Sequence, residues 1–222
     1  MVDLAHLSAA EMAAQLGRPE GDIGIAVGDY MSGINAHLIK AAYRYLAPPP
    51  QGRVLEIGVG NGKLIGDLLE MAPGVSYVGV DVSETMVYEA RKNNQALRKE
   101  SRLMLHVASV EALPFPDATF DRALAVNTIY FWPDQLAGLR EIRRVLRDGA
   151  LLVLASMTPE TSARSQAARP DYGFCVPNRV TLELLHRRSG FASVTCDIYK
   201  EDVKRLDGTA FRRDYHIVLA RA

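Results

Sequence analysis

The chain has 222 residues, with 26 lysines and arginines against 26 aspartates and glutamates. That length suits one domain of ordinary size, and the even charge offers no basic track for a polyanion, so a nucleic-acid substrate is not expected. Cys175 and Cys196 stand far apart without Cys-x-x-Cys or metal-ligand spacing, which argues against a structural disulfide or zinc site and fits a reducing, cytoplasmic setting.

No basic segment followed by an apolar one opens the chain, and no apolar run approaches the roughly 20 residues that span a bilayer. A soluble monomer or homodimer without membrane attachment is the expectation. Ser8-Ala-Ala-Glu11 has the spacing of a capping box, and Gly17 suits the stop of a short helix through Met12 and Leu16. A second helix is expected from about Asn35 to Leu46, ending before Pro48-Pro49-Pro50. Residues 1–50 therefore read as an N-terminal helical cap, and residues 51–222 as the main fold.

From Gln51 onward, short apolar runs alternate with helical patterns, the signature of βα units on a mainly parallel sheet. Residues 54–57 read as the first strand. Leu64, Ile65, Leu68 and Leu69 follow at helical spacing, then residues 75–80 as the second strand. A helix beginning near Ser83, with Glu84 in its first turn, shows Met86, Val87, Ala90 and Leu97 on its apolar face. Residues 103–107 and 123–126 read as strands three and four. Pro133 is expected in the first turn of the next helix, with Leu136, Leu139, Ile142, Val145 and Leu146 as its stripe and Gly149 at its end. Residues 151–154 read as strand five. After a polar stretch from Met157 to Asn178 comes a helix around residues 182–188, and then two strand-like runs, 193–198 and 215–220. No convincing helix joins those runs, so they should pair antiparallel.

The motif Val54-Leu-Glu-Ile-Gly58-Val-Gly60-Asn-Gly62 puts three glycines at alternate positions between a buried strand and a helix. Glycine permits positive φ and removes the Cβ that would hold a ligand off the backbone, while a following helix offers unpaired N–H groups. The dinucleotide fingerprint needs its third glycine one residue later, where Lys63 stands. Glu56 would repel a diphosphate there but would receive an ammonium, directly or through water. Asp81, at the end of strand two, is placed to accept hydrogen bonds from ribose hydroxyls. Together these residues describe an adenosine joined to an amino acid with no phosphate between them.

On these residues the chain resembles the class I S-adenosylmethionine-dependent methyltransferases, over about residues 51–155. The family's glycine motif matches Glu56-Ile-Gly58-Val-Gly60-Asn-Gly62, its strand-two acid matches Asp81, and Val82 and Met86 stand where the family flanks the adenosine. Ala108-Ser109-Val110-Glu111-Ala-Leu-Pro-Phe-Pro-Asp117 resembles the segment that reads the adenine edge, with Ser109 and Val110 at the reading positions and serine where aspartate is usual. Asn127 takes the position near the methionine end of the cofactor. The resemblance implies a Rossmann-like α/β fold, a seven-stranded mainly parallel sheet with helices on both faces and the last strand antiparallel between the fifth and sixth. It also implies S-adenosyl-L-methionine as cofactor and in-line methyl transfer, which needs alignment more than a dedicated acid or base; no catalytic residue is assigned.

Tyr130, Phe131, Trp132 and Pro133 follow strand four at the ligand-binding edge of such sheets, where they either wall a substrate pocket or pack against the cap. Tyr30 stands before a helix that either covers the cofactor or anchors an arm, and Tyr172 and Phe174 are candidate substrate-side residues. No His/Asp/Glu cluster suggests a metal. The leading expectation is a methyltransferase acting on a small, mostly apolar or aromatic acceptor. A non-catalytic S-adenosylmethionine-binding regulatory or partner subunit is the alternative; an NAD-dependent dehydrogenase is disfavoured by Lys63 and Glu56.

Overall fold

The structure is a computed structural model that describes residues 2–99, 102–204 and 208–222. Seven strands form one sheet: β1 (Arg53–Ile57), β2 (Ser76–Asp81), β3 (Leu103–Val107), β4 (Phe120–Val126), β5 (Leu146–Met157), β6 (Ser193–Lys204) and β7 (Ala210–Arg221). Their order is β3-β2-β1-β4-β5-β7-β6. β1 to β5 run parallel, and β7 lies antiparallel to both β5 and β6, as the two C-terminal apolar runs and the resemblance imply. The direction of winding reverses between β1 and β4, which opens a crevice at their carboxyl ends.

The helices are α1 (Ala9–Gly17), α2 (Gly21–Leu46), α3 (Ile65–Met71), α4 (Glu84–Asn93), α5 (Gln95–Lys99), α6 (Gln135–Val145), α7 (Pro159–Ser162) and α8 (Arg179–Arg188). Leu38, Ala42, Tyr43 and Leu46 of α2 join α3 and α4 on one face of the sheet, while Leu139, Ile142 and Val145 of α6 and Leu182 of α8 cover the other. A parallel strand buried on both faces reads as a continuous apolar run. β5 shows it: Leu151, Val153 and Ala155 enter the α2 side, and Leu152 and Leu154 the α6 side. Among the described residues, no helix is long and apolar enough to cross a membrane.

Four local expectations differ from the structure. Leu97 falls in α5 and not on the helix begun near Ser83, because α4 stops at Asn93 and Asn94 Nδ2 donates to the Ala90 and Gly62 carbonyls. α2 starts at Gly21, not near Asn35. Its first half carries Gly21, Gly24, Gly28 and Gly33, and each interior glycine disfavours a helix by about 1 kcal/mol. Close packing explains two of them: a Cβ at Gly24 would lie 2.6 Å from the Pro19 carbonyl carbon, and one at Gly28 would lie 2.8 Å from Met86 Sδ. Pro133 precedes α6 instead of opening it, because Asp134 is the N-cap and accepts from the N–H groups of Leu136 and Ala137. Gly149 does not end α6; the helix stops at Val145, Leu146 pairs with Phe120, and Gly149, at φ +77°, lies inside β5 with its N–H on the Ala222 carbonyl. Sheet pairing takes over there before the helical pattern of the sequence runs out.

β6 and β7 pair from Ser193↔Arg221 to Lys204↔Ala210, whereas β5 follows β7 only as far as Met157↔Tyr215. Residues 210–214 and their β6 partners thus continue past β5 as a two-stranded arm, and β6 packs beside α2.

Candidate active site

A cavity of about 930 Å³ lies at the carboxyl ends of the central strands, closed on one side by α1 and the first half of α2. Glu56, Gly58, Gly60, Asp81, Val82, Met86, Ser109, Val110 and Asn127 line it, together with Tyr30, Tyr130, Trp132 and Phe174. Two residues singled out in the sequence do not. Gly62 sits behind the loop, where a Cβ would meet Ala90 Cβ and Ile65 Cδ1 at 2.9 Å. Tyr172 is exposed, in a short 3-10 turn away from the cavity.

Gly58, Gly60 and Gly62 take φ values of +72°, +57° and +65°, a region that side chains rarely adopt. The chain turns sharply enough for the Gly60 N–H to donate to Asp81 Oδ2 at 2.9 Å, while Asp81 Oδ1 accepts from the Ser83 N–H at 2.9 Å. Burial pushes the Asp81 carboxyl above its usual range, and these backbone donors oppose the shift. Ser83 caps α4 by accepting from the Met86 N–H, and its hydroxyl donates to the Pro19 carbonyl of the cap.

Glu56 lies at the opposite end of the loop and is 5% exposed. The Tyr77 hydroxyl donates to its Oε2 at 2.5 Å and the Tyr43 hydroxyl at 3.4 Å. Burial raises the Glu56 carboxyl to about 7 in spite of these donors, and the nearby Asp81 adds to the rise. A buried acid held near neutrality by desolvation gains from a cation placed beside it.

The cap is tied to the loop by Asn61, whose Nδ2 donates to Asp29 Oδ1 at 2.8 Å and whose Oδ1 accepts from the Ser32 hydroxyl at 2.6 Å. Lys63 Nζ pairs with Asp29 at 2.7 Å. The aromatic wall is one contact set: Tyr130 stacks on Phe174 with ring centres 5.5 Å apart, and Phe131 meets both rings edge-on at 4.7 Å. Those aromatics therefore wall the cavity and pack against each other at once.

Sequence reasoning missed Asn61, Thr128, Arg213 and Tyr215, which also line the cavity. Thr128 follows Asn127, and its Cγ2 would lie 2.2 Å from a Cβ at Gly58, so its place was readable only through the loop's packing. Arg213 and Tyr215 come from β7, at the far end of the chain, and no motif marks them.

The lining fits S-adenosylmethionine. The space beyond Gly60, where a side chain would project, holds no atom within 4 Å. Acids stand at both ends of the loop, and Asn127 Oδ1 and Thr128 Oγ1 are buried with no hydrogen-bond partner, atoms that a polar ligand would satisfy. Fold and site together define a Rossmann-like protein of the S-adenosylmethionine-binding class.

The family described as "Methyltransferase domain" matches residues 55–154. An O-methyltransferase of Pyrenophora dematioidea is 27% identical over 177 residues, which is 78% of this chain and 66% of that protein. A ubiquinone/menaquinone biosynthesis C-methyltransferase of Citrifermentans bemidjiense is 33% identical over 129 residues, 57% of this chain and 55% of that one. The chain thus spans about half to two-thirds of the length of the curated relatives it matches. Among solved structures, the complex of the Haloferax volcanii Trm112 methyltransferase activator with a methyltransferase aligns with TM-score 0.71 at 17% identity, over 95% of this chain and 97% of that one. The CurJ carbon methyltransferase aligns with TM-score 0.66 at 22% identity, over 95% of this chain and 61% of that one. Residues 55–154, just under half of the chain, thus match the methyltransferase domain family, and S-adenosylmethionine is the cofactor that this match and the lining of the cavity support.

Proposed function

We propose that this chain transfers a methyl group from S-adenosylmethionine to a small, mostly apolar or aromatic acceptor, beneath a cap formed by its N-terminal residues. The observation that carries this reading is the continuity of one cavity from the glycine loop to the Tyr130, Phe131 and Phe174 wall. Glu56 receives the amino group of the cofactor, Asp81 its ribose, Ser109 and the Val110 N–H its adenine edge, with Val82 and Met86 flanking the adenosine. Asn127 lies at the methionine end, and Gly58, Gly60 and Gly62 let the backbone approach. When bound, the cofactor supplies a sulfonium-activated methyl group for in-line displacement, so the protein's task is alignment and exclusion of water. Tyr30, Tyr130, Trp132 and Phe174 hold the acceptor. Tyr172, exposed on the surface, has no part in this reading.

Calorimetric titration with S-adenosylhomocysteine, followed by turnover of labelled S-adenosylmethionine against a panel of small aromatic metabolites, tests it. Micromolar binding with methylation of a panel member is expected. Binding without any turnover on a broad panel would favour a regulatory subunit, and stabilisation by NAD in place of S-adenosylhomocysteine would overturn the reading.

A further inference from the structure

An acceptor that reacts through a hydroxyl must give up a proton, and the cavity is poor in groups to take it. Among the described residues, its lining includes two carboxylates, Glu56 and Asp81, and no histidine. Both acids are engaged: Glu56 by Tyr77 and Tyr43, Asp81 by two backbone N–H groups. Both also belong to the cofactor's end in the reading above.

A different path leads out of the cavity through Tyr215. This residue is 1% exposed and lines the cavity at the point where β7 parts from β5, opposite Met157. Two residues along β7 stands Arg213, which pairs in register with Glu201 of β6, so Tyr215 and Glu201 lie on one face of the paired strands as diagonal neighbours. Glu201, on β6, has a side chain only 7% exposed; its Oε1 accepts from Arg213 Nη2 at 2.6 Å, but its Oε2 has no hydrogen-bond partner. A buried carboxylate oxygen without a donor is costly, and one beside a tyrosine hydroxyl is placed to receive that group's proton. Arg213 holds the carboxylate from the other side. Its guanidinium also donates to the Ile34 carbonyl and to Asn35 Oδ1 of α2, and lies 5.4 Å from the Tyr215 ring centre.

We propose that Tyr215 binds a hydroxyl group of the methyl acceptor and relays its proton to Glu201, which Arg213 keeps in position. The inference rests on the methyltransferase reading and narrows it to a hydroxylated acceptor, of which phenols suit the aromatic wall. A tyrosine hydroxyl has one donor and two lone pairs; with its hydrogen directed to Glu201, it offers the acceptor lone pairs alone and so selects a partner that donates. Burial and Glu201 push the Tyr215 hydroxyl well up, so it stays protonated and works by passing a proton through. The acceptor's O–H bond breaks as a bond forms to Tyr215 Oη, the Tyr215 O–H breaks as one forms to Glu201 Oε2, and the electron pair left on the acceptor oxygen takes the methyl group. Glu201 ends protonated and later returns the proton to solvent.

A series of substituted naphthols of graded acidity, assayed with the full chain and labelled S-adenosylmethionine, tests the relay. Wild-type kcat should vary little across the series. Tyr215→Phe should lower kcat about 100-fold or more for naphthols that are neutral at the assay pH and spare those already ionised, with S-adenosylhomocysteine affinity held within about threefold. Glu201→Gln should act in the same direction, and it decides the matter if Tyr215→Phe does not fold. A variant that loses activity equally on all naphthols, or on none, overturns the relay. So does a wild type that binds S-adenosylhomocysteine but methylates no naphthol, which leaves the methyltransferase reading standing. Absence of S-adenosylhomocysteine binding removes that reading itself.

Discussion

Gly58, Gly60 and Gly62 share a left-handed backbone, but what a side chain would meet separates their roles. At Gly58 a Cβ would overlap Thr128 and at Gly62 it would press on Ala90 and Ile65, whereas at Gly60 it would enter the cavity. Gly58→Ala should therefore lower Tm more than Gly60→Ala, while Gly60→Val should leave a folded protein that no longer binds S-adenosylhomocysteine. Thermal unfolding and calorimetry check the two halves of this expectation. Asp81→Ala should weaken cofactor binding by about 1.5–3 kcal/mol, the range for hydrogen bonds to a charged group. Glu56 adds a pH dependence. Its carboxyl is raised from the usual 4.5 to about 7, so the folded state holds the proton more tightly than the unfolded one. The contribution to stability is fully present below 4.5 and is lost as pH rises through 7. Glu56→Gln should flatten Tm over that window. An ammonium beside Glu56 favours the ionised form, so S-adenosylhomocysteine affinity should rise with pH through about 7 in the wild type and lose that rise in Glu56→Gln. The glycines, Glu56 and Asp81 were legible because a ligand loop imposes residue types on consecutive positions. Thr128 and Tyr215 were not, because their places depend on strands that pair across long stretches of chain.

At the scale of elements, α2 has two halves with different work. From Asn35 to Leu46 it is a core helix, with Leu38, Ala42 and Leu46 fully buried against the sheet. From Gly21 to Ile34 it lies over the cavity, tied to the loop by Ser32, Asp29 and Asn61 and to the β7 arm through the Ile34 carbonyl. Deleting residues 1–34 should reduce methyl transfer far more than S-adenosylhomocysteine affinity, because it removes the acceptor's cover and leaves most of the cofactor cradle. Turnover and calorimetry on the truncated chain measure the two effects, and a folded truncation working at the full rate would remove the cap from the mechanism. The helical pattern from Asn35 was readable in the sequence. The glycine-rich first half was not, since glycine's low helix propensity masks positions where the backbone must approach Pro19 and Met86.

Across the whole molecule, the neutral charge and the apolar cavity point the same way. Turnover should depend weakly on salt, whereas binding to a nucleic acid would weaken steeply as salt rises. It should also survive EDTA, since no group of three or more His, Cys, Asp or Glu side chains among the described residues is arranged to hold a metal ion; loss of activity restored by Mg²⁺ would contradict this. What the sequence by itself determined is the alternating sheet, the antiparallel last strand and the positive-φ backbone of the glycine loop, because periodicity and local backbone demands are written in neighbouring residues. Tertiary structure alone decided that α2 begins at Gly21, that Gly149 belongs to a strand, that Tyr172 is exposed, and that Arg213 pairs with Glu201 beside the Tyr215 ring. Those outcomes depend on hydrogen bonds and packing between elements far apart in the chain, whose energy outweighs local propensity and leaves no local pattern to read.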